Sequence, residues 1–358
     1  MAETIHVFIC YSSLSFDAAL RIAHFTKNQY GEDSSGKENT GPLFFFFVLF
    51  SADRSQLPDG AQVFEMHPAP QYYSEWTRPF AIARWFSGAL KELNTFAPNE
   101  IHAYLPHPFE LPGNHFLFHD ARVTRRELLP DGLINYFHRT LQPESPGKAL
   151  RYVTRIALRL SAAVRYRLLY TPFSKGHITQ YERGLYDRSW TLNEEGYLTR
   201  GRELAQLPPR PGNQRVGASN SKRQVALLIL DQEIHQIVSS SLEDRLRSAL
   251  LQEALLLQKA TVYYKAHPRG KNRVEELRQG GLKVQDETGS GLAEALIEQE
   301  GITHLLGFYS TPLVLSRNEV ESRISIFPVQ GTPGILRPHL VGDIYTALRA
   351  SGARLISP

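Results

Sequence analysis

The sequence predicts an α/β protein built from two doubly wound halves, and three observations carry that prediction. Short β-branched or aromatic runs alternate with helically spaced runs along the chain, the pattern of strands joined by crossover helices. One proline-rich polar stretch, residues 206–223, interrupts the alternation. The length, 358 residues, exceeds what one core comfortably organises and suits two. Sheets of this kind hold ligands at the carboxyl ends of their strands, and two such halves imply a cleft between them.

The N-terminal half opens with a strand at 5–10, a loop from Tyr11 to Asp17 and a helix at 18–25. Residues 29–40 are polar and glycine-bearing and read as a loop. The apolar run 43–49 reads as a buried strand, and it is far too short to span a bilayer. A helix follows at 79–94, with apolar residues including Ile82, Phe86, Leu90 and Leu93 at helical spacing, then a strand at 100–105. Residues 122–127 lead into a turn, Leu129-Pro130-Asp131-Gly132. The helix expected over 148–169 has an apolar set of Leu150, Val153, Ile156, Leu160 and Val164. Arg151, Arg155 and Arg159 recur every fourth residue on one of its faces.

After the linker, strands are expected at 225–230, 261–266, 282–285, 304–307 and 324–328. Helices are expected at 240–259, 274–279, 291–300 and 343–351. Hydrophobic residues make up 42% of the chain and charged residues 21%, an ordinary globular balance. The formal charge of +4 is too small to demand nucleic acid but suits an anionic ligand. No basic-aromatic stripe favours a nucleic-acid partner. The single cysteine, Cys10, excludes a disulfide framework and points to a reducing compartment. No signal peptide is expected from the first residues.

The chemistry gathers at strand ends. The strand through Tyr263, Tyr264, Lys265 and Ala266 stops at His267-Pro268, because proline cannot continue a ladder. An imidazole at that edge can hydrogen-bond a phosphate or protonate a leaving oxygen, or it is a solvent-facing turn histidine. Ser310-Thr311 follows the strand at 304–307. Its two hydroxyls can donate to a phosphate, or serve as a plain helix cap. Asp131 can accept a proton from an attacking hydroxyl, although Pro-Asp-Gly is also a common turn. Glu294, after the strand at 282–285, can hold ribose hydroxyls or face solvent on its helix.

Other signals are weaker. Gly289-Ser290-Gly291 begins a dinucleotide fingerprint, but Glu294 stands where its last glycine belongs, so it reads as a loop. His115 and His119 alternate like strand residues and share a face near Asp120, yet no further metal ligand is evident, and no metal is expected. The arginine row has three readings: a solvated helix face, a surface for anionic lipid, or a grip on an acidic glycan.

Taken in order, these residues resemble the bacterial sialyltransferases of the polysialyltransferase and lipooligosaccharide sialyltransferase type. Those proteins carry an acidic-acidic-Gly motif, then His-Pro, then Ser-Ser or Ser-Thr. The matching residues here are Asp131-Gly132, His267-Pro268 and Ser310-Thr311. Asn114-His115 and the run from Gly132 to Tyr136 also look like that family, and the resemblance spans roughly residues 100 to 315. One departure stands out: Pro130 occupies the place of the first acid.

The resemblance implies a GT-B fold, two Rossmann-like domains facing a cleft. Residues 1–212 would form the acceptor side and 213–358 the nucleotide-sugar side, with the final helix free to pack back on the first domain. It implies a CMP-activated nine-carbon sugar acid as donor, a glycan or glycolipid of a bacterial surface polysaccharide as acceptor, and inverting transfer without metal or cofactor. Asp131 would be the base. His267, Pro268, Ser310 and Thr311 would line the donor phosphate, and Glu294 the ribose. A cytoplasmic location with peripheral contact at the inner membrane goes with that chemistry. Three alternatives stay open: a CMP-Kdo donor, a UDP-sugar donor, or a non-catalytic glycan-binding protein on the same fold, the last favoured by Pro130.

Overall fold

The computed structural model describes residues 4–32, 42–136, 146–173, 175–191, 194, 197–210, 225–257, 260–267, 270–289, 293–316 and 320–357. The chain divides into two compact units, one of residues 1–191 with 198–214, the other of 192–197 with 215–358.

The first unit runs β1 (Thr4–Cys10), α1 (Ser13–Glu32), β2 (Leu43–Val48), β3 (Gln62–Glu65), α2 (Arg78–Thr95), β4 (Glu100–Leu105), α3 (Leu111–Phe118), β5 (Val123–Leu128), α4 (Pro146–Arg165), β6 (Arg188–Thr191) and β7 (Glu203–Gln206). Among the described residues its strands form one sheet in the order β3-β2-β1-β4-β5-β6-β7. The pairings are parallel, so every connection must cross a face of the sheet. β2 is the six-residue run Leu-Phe-Phe-Phe-Phe-Val, buried at five positions, as a strand covered on both faces must be. Phe47 packs edge-on against Phe86 of α2 and Phe116 of α3, which ties those helices to one face.

The second unit runs β8 (Ala226–Asp231), α5 (Ser240–Leu256), β9 (Thr261–Ala266), α6 (Val274–Gln279), β10 (Val284–Asp286), α7 (Ala293–Gln299), β11 (His304–Gly307), α8 (Thr311–Leu315), β12 (Ser322–Ile326), α9 (Pro338–Ala350) and β13 (Arg354–Ile356). Its described strands form a parallel sheet in the order β10-β9-β8-β11-β12-β13. β8 is buried throughout. α9 packs on β13 and α8 within this unit. Among the described residues no helix is long and apolar enough to cross a membrane.

Several expectations are corrected. The segment His115–His119 is not a strand: Pro112 opens helix α3, which runs through Phe118. The helix after β1 is longer than expected, and the short strands β3, β6, β7 and β13 carry too little alternation to be read from sequence. The first part of the expected linker is anchored: Leu207 is buried, and Arg210 pairs with the buried Asp17 of α1 at 2.8 Å. The arginine row of α4 is not a uniformly solvated face. Arg151 and Arg155 are exposed, but Arg159 is buried, paired with Glu110 at 2.6 Å and 4.1 Å above the Phe109 ring.

His6 sits inside the first sheet, 3% exposed, with Nδ1 3.0 Å from Tyr104 Oη and no hydrogen-bond partner for Nε2 among the described residues. Burial, then the neighbouring His102 and Arg125 charges, push its pKa from 6.5 down to about 3. The folded protein therefore resists a proton that the unfolded chain accepts below pH 6.5. The stability that neutral His6 contributes is complete above that value and is lost as the pH falls toward 3. Urea unfolding should show His6→Phe losing about 2 kcal/mol less stability than the parent between roughly pH 7 and 5.

Candidate functional site

Each sheet reverses its strand order once, and a ligand site is expected where it does. In the first unit the reversal lies between β1 and β4. The loops leaving β1, β4 and β5 meet there, and they bring Ser12, His107 and Asp131 together.

Asp131 follows β5 and precedes a short 3-10 turn, Gly132–Tyr136. Gly132 adopts φ 65°, the left-handed region where a side chain is strained. The Asp131 N–H donates to Asn135 Oδ1 at 2.7 Å, a capping contact that reaches back over the turn. Asn135 is fully buried and its Nδ2 donates to Thr199 Oγ1 at 2.8 Å, so the loop is fixed from beneath. Ser12 Oγ donates to Asp131 Oδ1 at 2.8 Å. His107 Nε2 lies 3.7 Å from Asp131 Oδ2, an ion-pair distance rather than a hydrogen bond. The Phe109 N–H donates to His107 Nδ1 at 3.2 Å. Nδ1 must therefore accept, and the neutral ring carries its proton on Nε2, toward Asp131.

The backing of this cluster is tight. Asn114, wholly buried, donates from Nδ2 to the carbonyls of Pro108 (3.1 Å) and Thr171 (2.9 Å), and so holds the His107 loop. Tyr11 Oη accepts the Gly113 N–H at 2.9 Å, and the Tyr11 ring packs at a 45° tilt, 4.6 Å from His107. Burial, then the Glu110 charge, pushes the Tyr11 phenol well above its ordinary pKa, so it stays a neutral hydroxyl.

In the second unit the reversal lies between β8 and β11. Asp231 ends β8 and accepts from Tyr264 Oη at 2.8 Å and Arg247 Nη1 at 3.0 Å. The His267 N–H donates to the Asp231 carbonyl at 2.9 Å, which extends the ladder one residue past β9 and sets His267 at the carboxyl edge. Pro268 lies outside the described residues. Ser310 caps α8 after β11. It is buried, and its Oγ has no hydrogen-bond partner among the described residues. Thr311 is the first residue of α8 and half-buried. His267 and Ser310-Thr311 thus stand on either side of β8 at one edge of one sheet.

Glu294 is not the solvated helix-face residue weighed from sequence. It is buried in the first turn of α7. Burial lowers the pKa of Lys265 on β9, while Glu287 and Glu294 act against that shift, so Glu294 belongs to the electrostatic surroundings of this strand end. Among the described residues no group of three or more His, Cys, Asp or Glu side chains could hold a metal ion. His119 Nε2 lies 3.1 Å from Thr171 Oγ1, and Asp120 is engaged by Arg122 at 2.6 Å.

No family model and no curated protein sequence matches the chain. Solved structures do. The GT-B domain of a sialyltransferase from Photobacterium damselae aligns over 99% of this chain and 100% of its own, at 13% identity and a TM-score of 0.54. This chain has the GT-B fold. A second sialyltransferase structure from Photobacterium damsela aligns over 99% of this chain and 82% of its own, at 13% identity and a TM-score of 0.52. The glycotransferase of kitacinnamycin aligns over 100% and 87%, at 11% identity and 0.51. At these identities the likeness is one of GT-B architecture.

Within that GT-B architecture, sequence reading missed Ser12, Tyr11, His107 and Asp231. A signal for His107 was present: it begins one of the chain's three His-Pro pairs, His107-Pro108, just past the buried strand β4. Ser12 and Tyr11 announce nothing by themselves. Gly113 gives this backing a direct test. A Cβ there would lie 2.5 Å from the His107 carbonyl and 2.7 Å from Tyr11 Oη. Gly113→Ala should cost about 1–3 kcal/mol in a denaturant melt, because backbone has to move to admit the methyl.

Proposed function

We propose that this protein is an inverting glycosyltransferase that moves sialic acid, or a related sugar acid, from a CMP-sugar to a glycan acceptor of a bacterial surface polysaccharide. The observation that carries the reading is the carboxylate of Asp131, held by Ser12 beside His107 at the switch point of one GT-B sheet. His267 and Ser310 stand at the matching edge of the other sheet.

In this reading Asp131 is the general base. Ser12 engages Oδ1, and Oδ2 takes the proton from the acceptor hydroxyl. That oxygen attacks the anomeric carbon as the bond from that carbon to the phosphate oxygen breaks. The electron pair leaves on the phosphate, where His267 hydrogen-bonds it and supplies a proton. Ser310 and Thr311 donate to the same phosphate. Fixed donors aimed at developing charge are usually the largest single contribution to such a step. The Ser310 Oγ, buried and without a hydrogen-bond partner among the described residues, is a donor suited to that task. Glu294 serves the ribose side, and Pro268 shapes the strand end. The chemistry needs no cofactor, and the enzyme works in the cytoplasm on a glycan or glycolipid.

Pro130 is compatible with Asp131 as the base. It is buried, and the residue turned to the strand-end cluster is Asp131. A carboxyl at position 130 would have to enter the core.

Thermal shift with CMP, UDP and GDP tests the donor: CMP should raise the melting temperature, and stabilisation by UDP without CMP would exclude the sialyltransferase reading. With CMP-sialic acid and a galactoside acceptor, Asp131→Ala should lower turnover by about 10²–10⁴-fold while CMP binding stays nearly intact. His267→Ala should weaken both. Full activity in Asp131→Ala would overturn the base assignment.

A further inference from the structure

Helix α4 leaves part of its apolar set facing outward, while Ile156 and Leu160 are half-buried and Leu160 packs on the core. Leu150, Val153 and Val164 are 69%, 61% and 77% exposed, and Ala157 and Ser161 between them are exposed too. Positions 150, 153, 157, 161 and 164 recur at three- and four-residue steps, so they form one stripe on the outward side. The inward side carries Arg159, Ala162 and Ala163. The outward stripe is flanked by exposed arginines, Arg151 and Arg165 on the helix and Arg167 just beyond it.

The charge on the helix itself has one sign. Across its 20 residues α4 carries five cations and no acid. One of the five, Arg159, is internal and neutralised by Glu110. Arg155 pairs at 2.7 Å with Glu75, and that contact sets the segment around Glu75 beside the helix. The same segment presents Trp76, 64% exposed, and Tyr72, 75% exposed.

We infer that α4 and the Tyr72–Trp76 segment form a docking surface for an anionic lipid bilayer. An exposed aliphatic stripe lets the helix lie along the acyl boundary, and arginines at its flank reach the phosphates. Tryptophan and tyrosine belong at that depth, with an apolar ring and a polar edge. A second copy of the chain fits less well: an isologous contact sets the stripe against itself, and its arginines against one another. This surface stands on α4 and its neighbours alone, independent of the sugar chemistry.

Sedimentation of the full chain with vesicles tests it. The protein should pellet with vesicles of phosphatidylcholine mixed with phosphatidylglycerol, and not with phosphatidylcholine alone. High salt should release it. The double variant V153E/V164E should lose partitioning by at least about tenfold. R151Q and R165Q should each lose about fivefold on the anionic vesicles. All four positions are exposed, so an unchanged thermal melt should accompany the loss. Failure of the parent protein to pellet, or vesicle binding by V153E/V164E equal to the parent's, would overturn the proposal. So would a dimer in sizing chromatography that V153E/V164E dissolves without any vesicle binding, which would assign the stripe to a second copy.

Discussion

A parallel sheet covered on both faces has one place to show polar side chains, the ends of its strands. β2 and β8 make the constraint plain, since neither has a position in its middle that could carry a solvated group. The functional candidates obey it. Ser12 and His107 each lie two residues past a strand, Asp131 and Ser310 three, and His267 one, counted from the ends at Cys10, Leu105, Leu128, Gly307 and Ala266. Short excursions of this kind leave little freedom to a side chain once the loop is anchored. Asn135 and Asn114 do that anchoring in the first unit, and the Asp231 carbonyl does it for His267.

The same economy explains the small residues around the first cluster. Gly113 lets α3 approach the His107 carbonyl and Tyr11, and Gly132 takes the left-handed turn after Asp131. Neither glycine touches a reacting atom. A methyl at Gly113 would displace backbone next to His107, and a side chain at Gly132 would be strained by the left-handed turn after Asp131.

The Arg159–Glu110 pair settles the orientation of α4. A carboxylate half-buried beside α3 is costly to leave without a cation, and Arg159 supplies one. The guanidinium also lies over the Phe109 ring, and Ala162 and Ala163 let the helix pack closely against α2. With that side turned inward, Leu150, Val153 and Val164 are left facing out. Each such side chain forgoes about 1.5–3 kcal/mol relative to full burial, which is the physical motive for something apolar to cover them.

The sequence by itself determined the alternation of strands and helices, the two-sheet α/β class, the turn that holds Asp131, and two of the strand ends that matter, those before His267 and Ser310. These are local properties, set by side-chain periodicity and by proline and glycine where a ladder or helix stops. Tertiary structure alone decided which strand ends become neighbours. β1 pairs with β4 across roughly a hundred residues, and only that pairing brings Ser12 and His107 to Asp131. It also decided that Glu294 is buried and that α4 turns an arginine inward. The reason is the same in each case: a helix records which of its faces differ, but the partner packed against it decides which face is hidden.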